Sequence, residues 1–192
     1  MFRRRRIIRP IVPVPMAFAA GGRKQVHPEL VRANELMQNG QYLEAAATFS
    51  RIAEVVRGRE GPRAPFFFLK AGRAYILASQ VDEGLTCIRQ GLGLLAGKGR
   101  WAELQRFGPM VVDQLKEKGL TEQAGKISDW LSATLAGKAL ENPVAGGAGE
   151  LPLLPTRCPS CGAAINSKEV SWQDRMTAEC LYCGGPIRAE SK

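Results

Sequence analysis

The tightest constraint in this 192-residue chain lies near its end. Cys158-Pro159-Ser160-Cys161-Gly162 and Cys180-Leu181-Tyr182-Cys183-Gly184 are two Cys-x2-Cys-Gly phrases, with 18 residues between Cys161 and Cys180. Two intervening residues let both sulfurs of a pair reach one ion. The glycine after each pair lets the chain turn back with its backbone amides aimed at the sulfurs, which damps the thiolate charge. Two such pairs at this separation form a four-thiolate tetrahedral site for one structural Zn2+. Iron in the same site and a disulfide pairing are the alternatives. With every position filled by protein, the site reads as structural and not catalytic. Residues 157–192 are too few to hold a fold by apolar burial alone, so metal binding is expected to supply much of their folding free energy.

Between the pairs, Val170-Ser171-Trp172 and Met176-Thr177-Ala178-Glu179 read as two strands around Gln173-Asp174-Arg175. On these residues the segment resembles a zinc ribbon of the rubredoxin-like kind. Four thiolates and one Zn2+ contribute −2, which takes this nearly neutral segment to about −1. Arg157, Lys168, Arg175 and Arg188 form no dense patch, so a strong phosphate-binding surface on the ribbon is disfavoured. Trp172 reads as core or interface, with base stacking as the competing role.

The middle of the chain repeats. Ala33, Leu36 and Met37 precede a stop at Asn39-Gly40, and Tyr42, Ala45, Ala46, Phe49 and Ile52 follow at helical spacing. Ala71, Gly72, Ala74 and Tyr75 precede Ser79-Gln80, with Val81, Gly84, Ile88 and Leu92 after. Val112 and Leu115 precede Lys118-Gly119, with Ala124, Ile127 and Leu131 after. The turn positions Gly40, Ser79 and Gly119 recur every 39 or 40 residues, which means stacked helix hairpins. Ala45, Gly84 and Ala124 are small where one helix is expected to cross its partner closely, with Tyr42 and Phe49 filling the groove beside them.

Here the chain resembles the tetratricopeptide family. Ala33-x2-Leu36-x3-Gly40-x-Tyr42-x-Glu44-Ala45-x3-Phe49 and Gly72-x-Ala74-Tyr75-x7-Glu83-Gly84 follow its pattern. The third copy departs from it, and the period exceeds the family's usual 34, with the polar Gly/Pro-rich residues 57–65 able to hold the excess. The fold expected is therefore mainly α, a stack of about three tetratricopeptide-like hairpins followed by a small C-terminal β zinc ribbon. The resemblance implies a scaffold whose concave surface accepts a peptide or helix, lined from the first helix of each hairpin. Candidate partner-binding residues are Arg32, Asn34, Gln38, Phe66, Lys70, Arg73 and Gln105, against a plain solvated face as the alternative. Phe66, Phe67 and Phe68 cannot all face one core, because neighbours on a helix lie about 100° apart. Burial against the preceding hairpin competes with contact to another element, a partner or the N-terminal arm.

The formal net charge is +9, and residues 1–28 carry seven basic and no acidic side chains. The body is therefore nearly neutral, and the basicity belongs to an arm with Arg3, Arg4, Arg5, Arg6 and Arg9. Pro10, Pro13 and Pro15 break any helix there. A solvated arm, a secretory leader, and docking of residues 1–24 on nucleic acid or an anionic membrane are the readings open to it. No apolar run is long enough for a membrane-spanning helix. The organisation expected is an arm over 1–26, helical repeats over 27–136, a Gly/Pro linker over 137–156 and the ribbon over 157–192.

Cys87 reads as a small buried hydrophobe, and the sole histidine, His27, stands at the arm–helix junction. GxxxxGK[ST], GxSxG and HExxH are absent from the sequence. The function expected is a cytoplasmic, non-enzymatic protein-binding adaptor with a structural zinc and no small-molecule substrate. A nucleic-acid-associated factor or peripheral membrane protein, either held by the arm, is the alternative.

Overall fold

The computed structural model describes residues 27–138, 152–167, 170–174 and 176–189. The arm, with Arg3, Arg4, Arg5, Arg6 and Arg9, lies outside them, as do residues 139–151 of the expected linker. Six helices come first: α1 Pro28–Gln38, α2 Tyr42–Gly58, α3 Ala64–Leu77, α4 Val81–Gly97, α5 Trp101–Glu117 and α6 Thr121–Leu135. Three short strands follow, β1 Ser171–Trp172, β2 Thr177–Glu179 and β3 Pro186–Arg188, in one antiparallel sheet of order β1-β2-β3. The protein is thus mainly helical, with consecutive helices packed in a stack and a small C-terminal sheet.

One turn recurs through the stack, and its chemistry explains the period. Gly40, Ser79 and Gly119 have φ of +75°, +63° and +76°. The amide of the following residue donates to a carbonyl five positions back: Gln41 N to Leu36 O, Gln80 N to Tyr75 O and Leu120 N to Leu115 O, each at 2.9 Å. The left-handed residue itself donates three back, as Ser79 N does to Ile76 O at 3.0 Å. These are Schellman caps, which satisfy the last carbonyls of a helix. The carbonyls of Gln41, Gln80 and Leu120 then accept the first bond of the next helix. The links between hairpins repeat the device, at Glu60 (φ +54°) and Gly99 (φ +67°), with Gly61 N and Arg100 N donating to Val56 O and Leu95 O. Four of the five connections therefore need only three residues between helices, the α2–α3 link needs five, and successive helices fold back antiparallel.

Close crossings sit where small residues stand. Gly72 on α3 and Gly84 on α4 face each other: a Cβ on Gly72 would lie 2.8 Å from Gly84 O, and one on Gly84 would lie 2.9 Å from Gly72 O. Ala45 and Ala124 are fully buried at the corresponding places of the other hairpins.

Two apolar clusters result. The first joins α1, α2 and α3 through Leu30, Ala33, Phe49, Phe67 and Phe68, and it includes Cys158, Cys161, Ala163, Ala178, Cys180 and Ile187. The second joins α3 to α6 through Phe66, Leu92, Leu104, Phe107, Leu115 and Ile127. The three adjacent phenylalanines divide accordingly. Phe68 is buried with the preceding hairpin, Phe67 lies 6.2 Å from the Tyr182 ring, and Phe66 lies 5.2 Å from Phe107 of the following hairpin.

Candidate metal centre

Each cysteine pair is bent by the same backbone device. Cys158 N donates to Ala163 O at 2.8 Å, and Cys180 N to Gly185 O at 2.9 Å. Gly162 N and Gly184 N donate back to Cys158 O and Cys180 O, each at 2.9 Å. Gly162 and Gly184 have φ of +72° and +71°, a conformation that glycine adopts without steric cost. The two knuckles superpose in pattern, and Gly185 N reaches Cys183 Sγ at 3.3 Å. Strands β1, β2 and β3 hold one knuckle against the other. The third strand, beginning at Pro186, goes beyond the two read from the sequence.

The four sulfurs gather at one point. Cys158 and Cys183 Sγ are 3.7 Å apart, Cys161 and Cys180 Sγ are 3.8 Å apart, and all four lie within 4.8 Å of one another. A disulfide requires about 2.05 Å, so these thiols are free. Four sulfurs about 2.3 Å from a tetrahedral ion stand about 3.8 Å from each other, the spacing of the Cys158–Cys183 and Cys161–Cys180 pairs. The cluster therefore fits a four-coordinate metal ion held by Cys158, Cys161, Cys180 and Cys183. Three of the four cysteines are buried. Hydrogen bonds within the cluster, foremost that between Cys158 and Cys161, hold the Cys158 thiol far below its ordinary range and push that of Cys161 far above it. Crowded thiols thus cannot ionise independently, and a cation that replaces their protons relieves the conflict.

The cluster does not stand apart from the helices. Asn34, 2% exposed on α1, donates from Nδ2 to Cys161 O at 2.8 Å and to Leu30 O at 2.9 Å, and its Oδ1 accepts from Lys70 Nζ at 2.6 Å. Gln38 Nε2 donates to Gly162 O at 3.1 Å. Lys70 on α3 places its ammonium 3.8 Å from the centre of the Tyr182 ring. Arg63, which caps α3, pairs with Glu179 at 2.6 Å and covers Gly184, where any Cβ would run into the guanidinium. From α5, Arg106 Nη2 donates to Val170 O at 2.9 Å. The ribbon thus bears on the first helix of all three hairpins.

The candidate partner-binding residues are dispersed by this arrangement. Asn34, Gln38 and Lys70 contact the chain's own ribbon. Phe66 is buried in the second cluster, beneath the Arg100 guanidinium at 5.0 Å. Arg32 and Arg73 are exposed. Gln105 Oε1, like Trp172 Nε1, is buried with no hydrogen-bond partner among the described residues. Sequence reasoning passed over Arg63, Arg106 and Tyr182, whose roles arise only from contacts across more than 60 residues of chain. Cys87 is buried on α4, 3.7 Å from Ser50 Oγ, and burial raises its thiol pKa above the ordinary value, with the Ser50 hydrogen bond opposing in part. No helix among the described residues is long and apolar enough to cross a membrane. Compared with family models, with curated proteins and with solved structures, the chain matches none.

Proposed function

We propose that this chain is a non-enzymatic, protein-binding scaffold, a tetratricopeptide-like stack braced by a structural zinc ribbon. The observation that carries the reading is the closed four-sulfur cluster seated against α1 and α3. An ion there has all its positions filled by protein, so it holds shape and has no place for a substrate. Stacked hairpins offer extended helical faces to a partner, and the ribbon fixes one such face in a single form. Zinc is the proposed ion because a tetrahedral four-thiolate set suits it, and reduced thiolates suit a cytoplasmic setting. Elemental analysis is expected to find one zinc per chain; iron would announce itself by visible thiolate-to-metal absorption. The scaffold reading is tested by cross-linking capture on the full-length, metal-loaded chain. A specific protein linked to the helical faces is expected, and an empty capture at high protein concentration refutes it.

The arm supports a second reading. Seven positive charges before Glu29, on an otherwise nearly neutral chain, suit an anionic partner. Deleting residues 1–24 is then expected to abolish binding to DNA or RNA, or flotation with anionic vesicles, and to flatten the salt dependence. Unchanged binding refutes the arm's role.

A further inference from the structure

We propose that the groove between α4 and α6 is a docking site for a partner peptide carrying an apolar side chain beside a carboxylate. This rests on the scaffold reading above and gives it a surface. The first helices of the hairpins are engaged by the ribbon, through Asn34, Gln38, Lys70 and Arg106. Between the second helices α4 and α6 lies a groove of about 400 Å³ lined by Arg89, Leu92, Gly93, Lys126, Ile127 and Trp130.

The lining has the form of a recognition surface. Leu92 and Ile127 make an apolar floor, and Trp130 stands 39% exposed at the rim, a side chain suited to clasp an apolar group. Arg89 and Lys126 supply the charge. Lys126 reaches Glu122 along its own helix at 2.7 Å, a fully solvated pair, and no ion pair or hydrogen bond engages Arg89 among the described residues. An apolar floor between two cations is complementary to an apolar residue next to Asp or Glu.

Gly93 keeps the groove open along α4. A glycine within a helix is unfavourable relative to alanine, so it calls for a packing reason. Gly72, Gly84, Gly91 and Gly108 have one, since a Cβ on each would lie within 2.8 Å of a neighbouring atom. Gly93 has nothing within 4 Å, yet it lines the groove. No described residue fills that space, which leaves room for a peptide lying along α4. Gly125 on α6 is equally open but is not part of the lining, which makes it the control.

The test uses the full-length, metal-loaded chain against a displayed library of random 12-residue peptides, followed by anisotropy titration of the enriched peptide. Sequences pairing an aliphatic or aromatic residue with Asp or Glu are expected. Gly93→Ala is expected to raise Tm by about 2–4 °C while weakening the peptide about tenfold. Gly125→Ala is expected to raise Tm similarly and leave binding unchanged. Trp130→Ala and Arg89→Glu, folded by circular dichroism, are expected to weaken binding at least as much as Gly93→Ala. Peptides that bind all groove variants like the parent overturn the groove and leave the scaffold reading standing. Basic consensus sequences overturn the chemistry proposed, and a dimer of the chain lost on Trp130→Ala overturns the choice of partner. Failure to enrich any peptide overturns the groove and counts against the scaffold itself.

Discussion

Asn34→Ala asks whether the ribbon and the helices are one cooperative unit. The side chain is buried and joins three elements: its own helix at Leu30 O, the knuckle at Cys161 O, and Lys70 of α3. Truncation removes the 2.8 Å bond to Cys161 O and leaves that carbonyl buried without its donor, at about 1–3 kcal/mol. It also removes the acceptor from the Lys70 ammonium. That loss is discounted, because Lys70 is half-buried and keeps the Tyr182 ring. The total expected is about 2–4 kcal/mol. The bond to Leu30 O is local to α1 and adds little. The assay is urea denaturation followed by helical circular dichroism, on metal-loaded chain and on chain stripped with chelator. With metal bound, Asn34→Ala is expected to move the midpoint by the full amount. After stripping, when the knuckle no longer presents Cys161 O, the same substitution is expected to cost under about 1 kcal/mol. A small effect in the loaded protein, or an equal effect in both states, would refute the view that the ribbon completes the helical core.

Four further outcomes follow. Ser79 holds a left-handed turn that glycine fills at its two counterparts, so Ser79→Gly is expected to stabilise by about 0.5–1 kcal/mol, read as a higher melting temperature. Gly84→Ala puts a Cβ 2.7 Å from Ile76 Cγ1 and 2.9 Å from Gly72 O, and is expected to destabilise by about 1–3 kcal/mol because backbone must move. Four thiols are expected to become reactive to a disulfide reagent when metal is chelated. Cys87, whose raised pKa keeps it a thiol at neutral pH, is expected to react only on unfolding. Acid should release the metal as protons compete for the thiolates, checked by zinc release against pH.

The local features of this fold are written in the sequence, and the contacts between distant segments are not. Cys-x2-Cys-Gly is a covalently short phrase, so its turn and the gathering of its sulfurs can be read residue by residue. The same holds for the caps at Gly40 and Gly119, where a glycine follows an apolar helical run. Ser79 is readable only by its position in the period, because a serine does not announce a left-handed residue. Glu60 is not readable at all by that rule, and the sequence marks only the Gly/Pro-rich stretch around it. The strand at Pro186, Ile187 and Arg188 is not legible because three residues are too short a run to establish alternation and Pro186 argues against a ladder. Asn34, Gln38 and Lys70 read from helical geometry as part of a face open to partners. That the ribbon occupies this face depends on pairing residue 34 with residue 161, and no periodicity encodes a contact 127 positions away.

That same separation governs how the chain is made. At about 5–20 residues per second, a ribosome needs roughly 6–25 s to travel from Asn34 to Cys161. Once α4 is finished at Gly97, about halfway through that interval, the first two hairpins are complete but lack their cover, with Phe67 and the Asn34 amide facing solvent or whatever else is near. The nascent protein therefore passes through a stage in which its helices wait for a knuckle not yet translated. If the four-sulfur site takes up its ion, a shortage of that metal would prolong this stage, making the ion a condition for finishing synthesis cleanly.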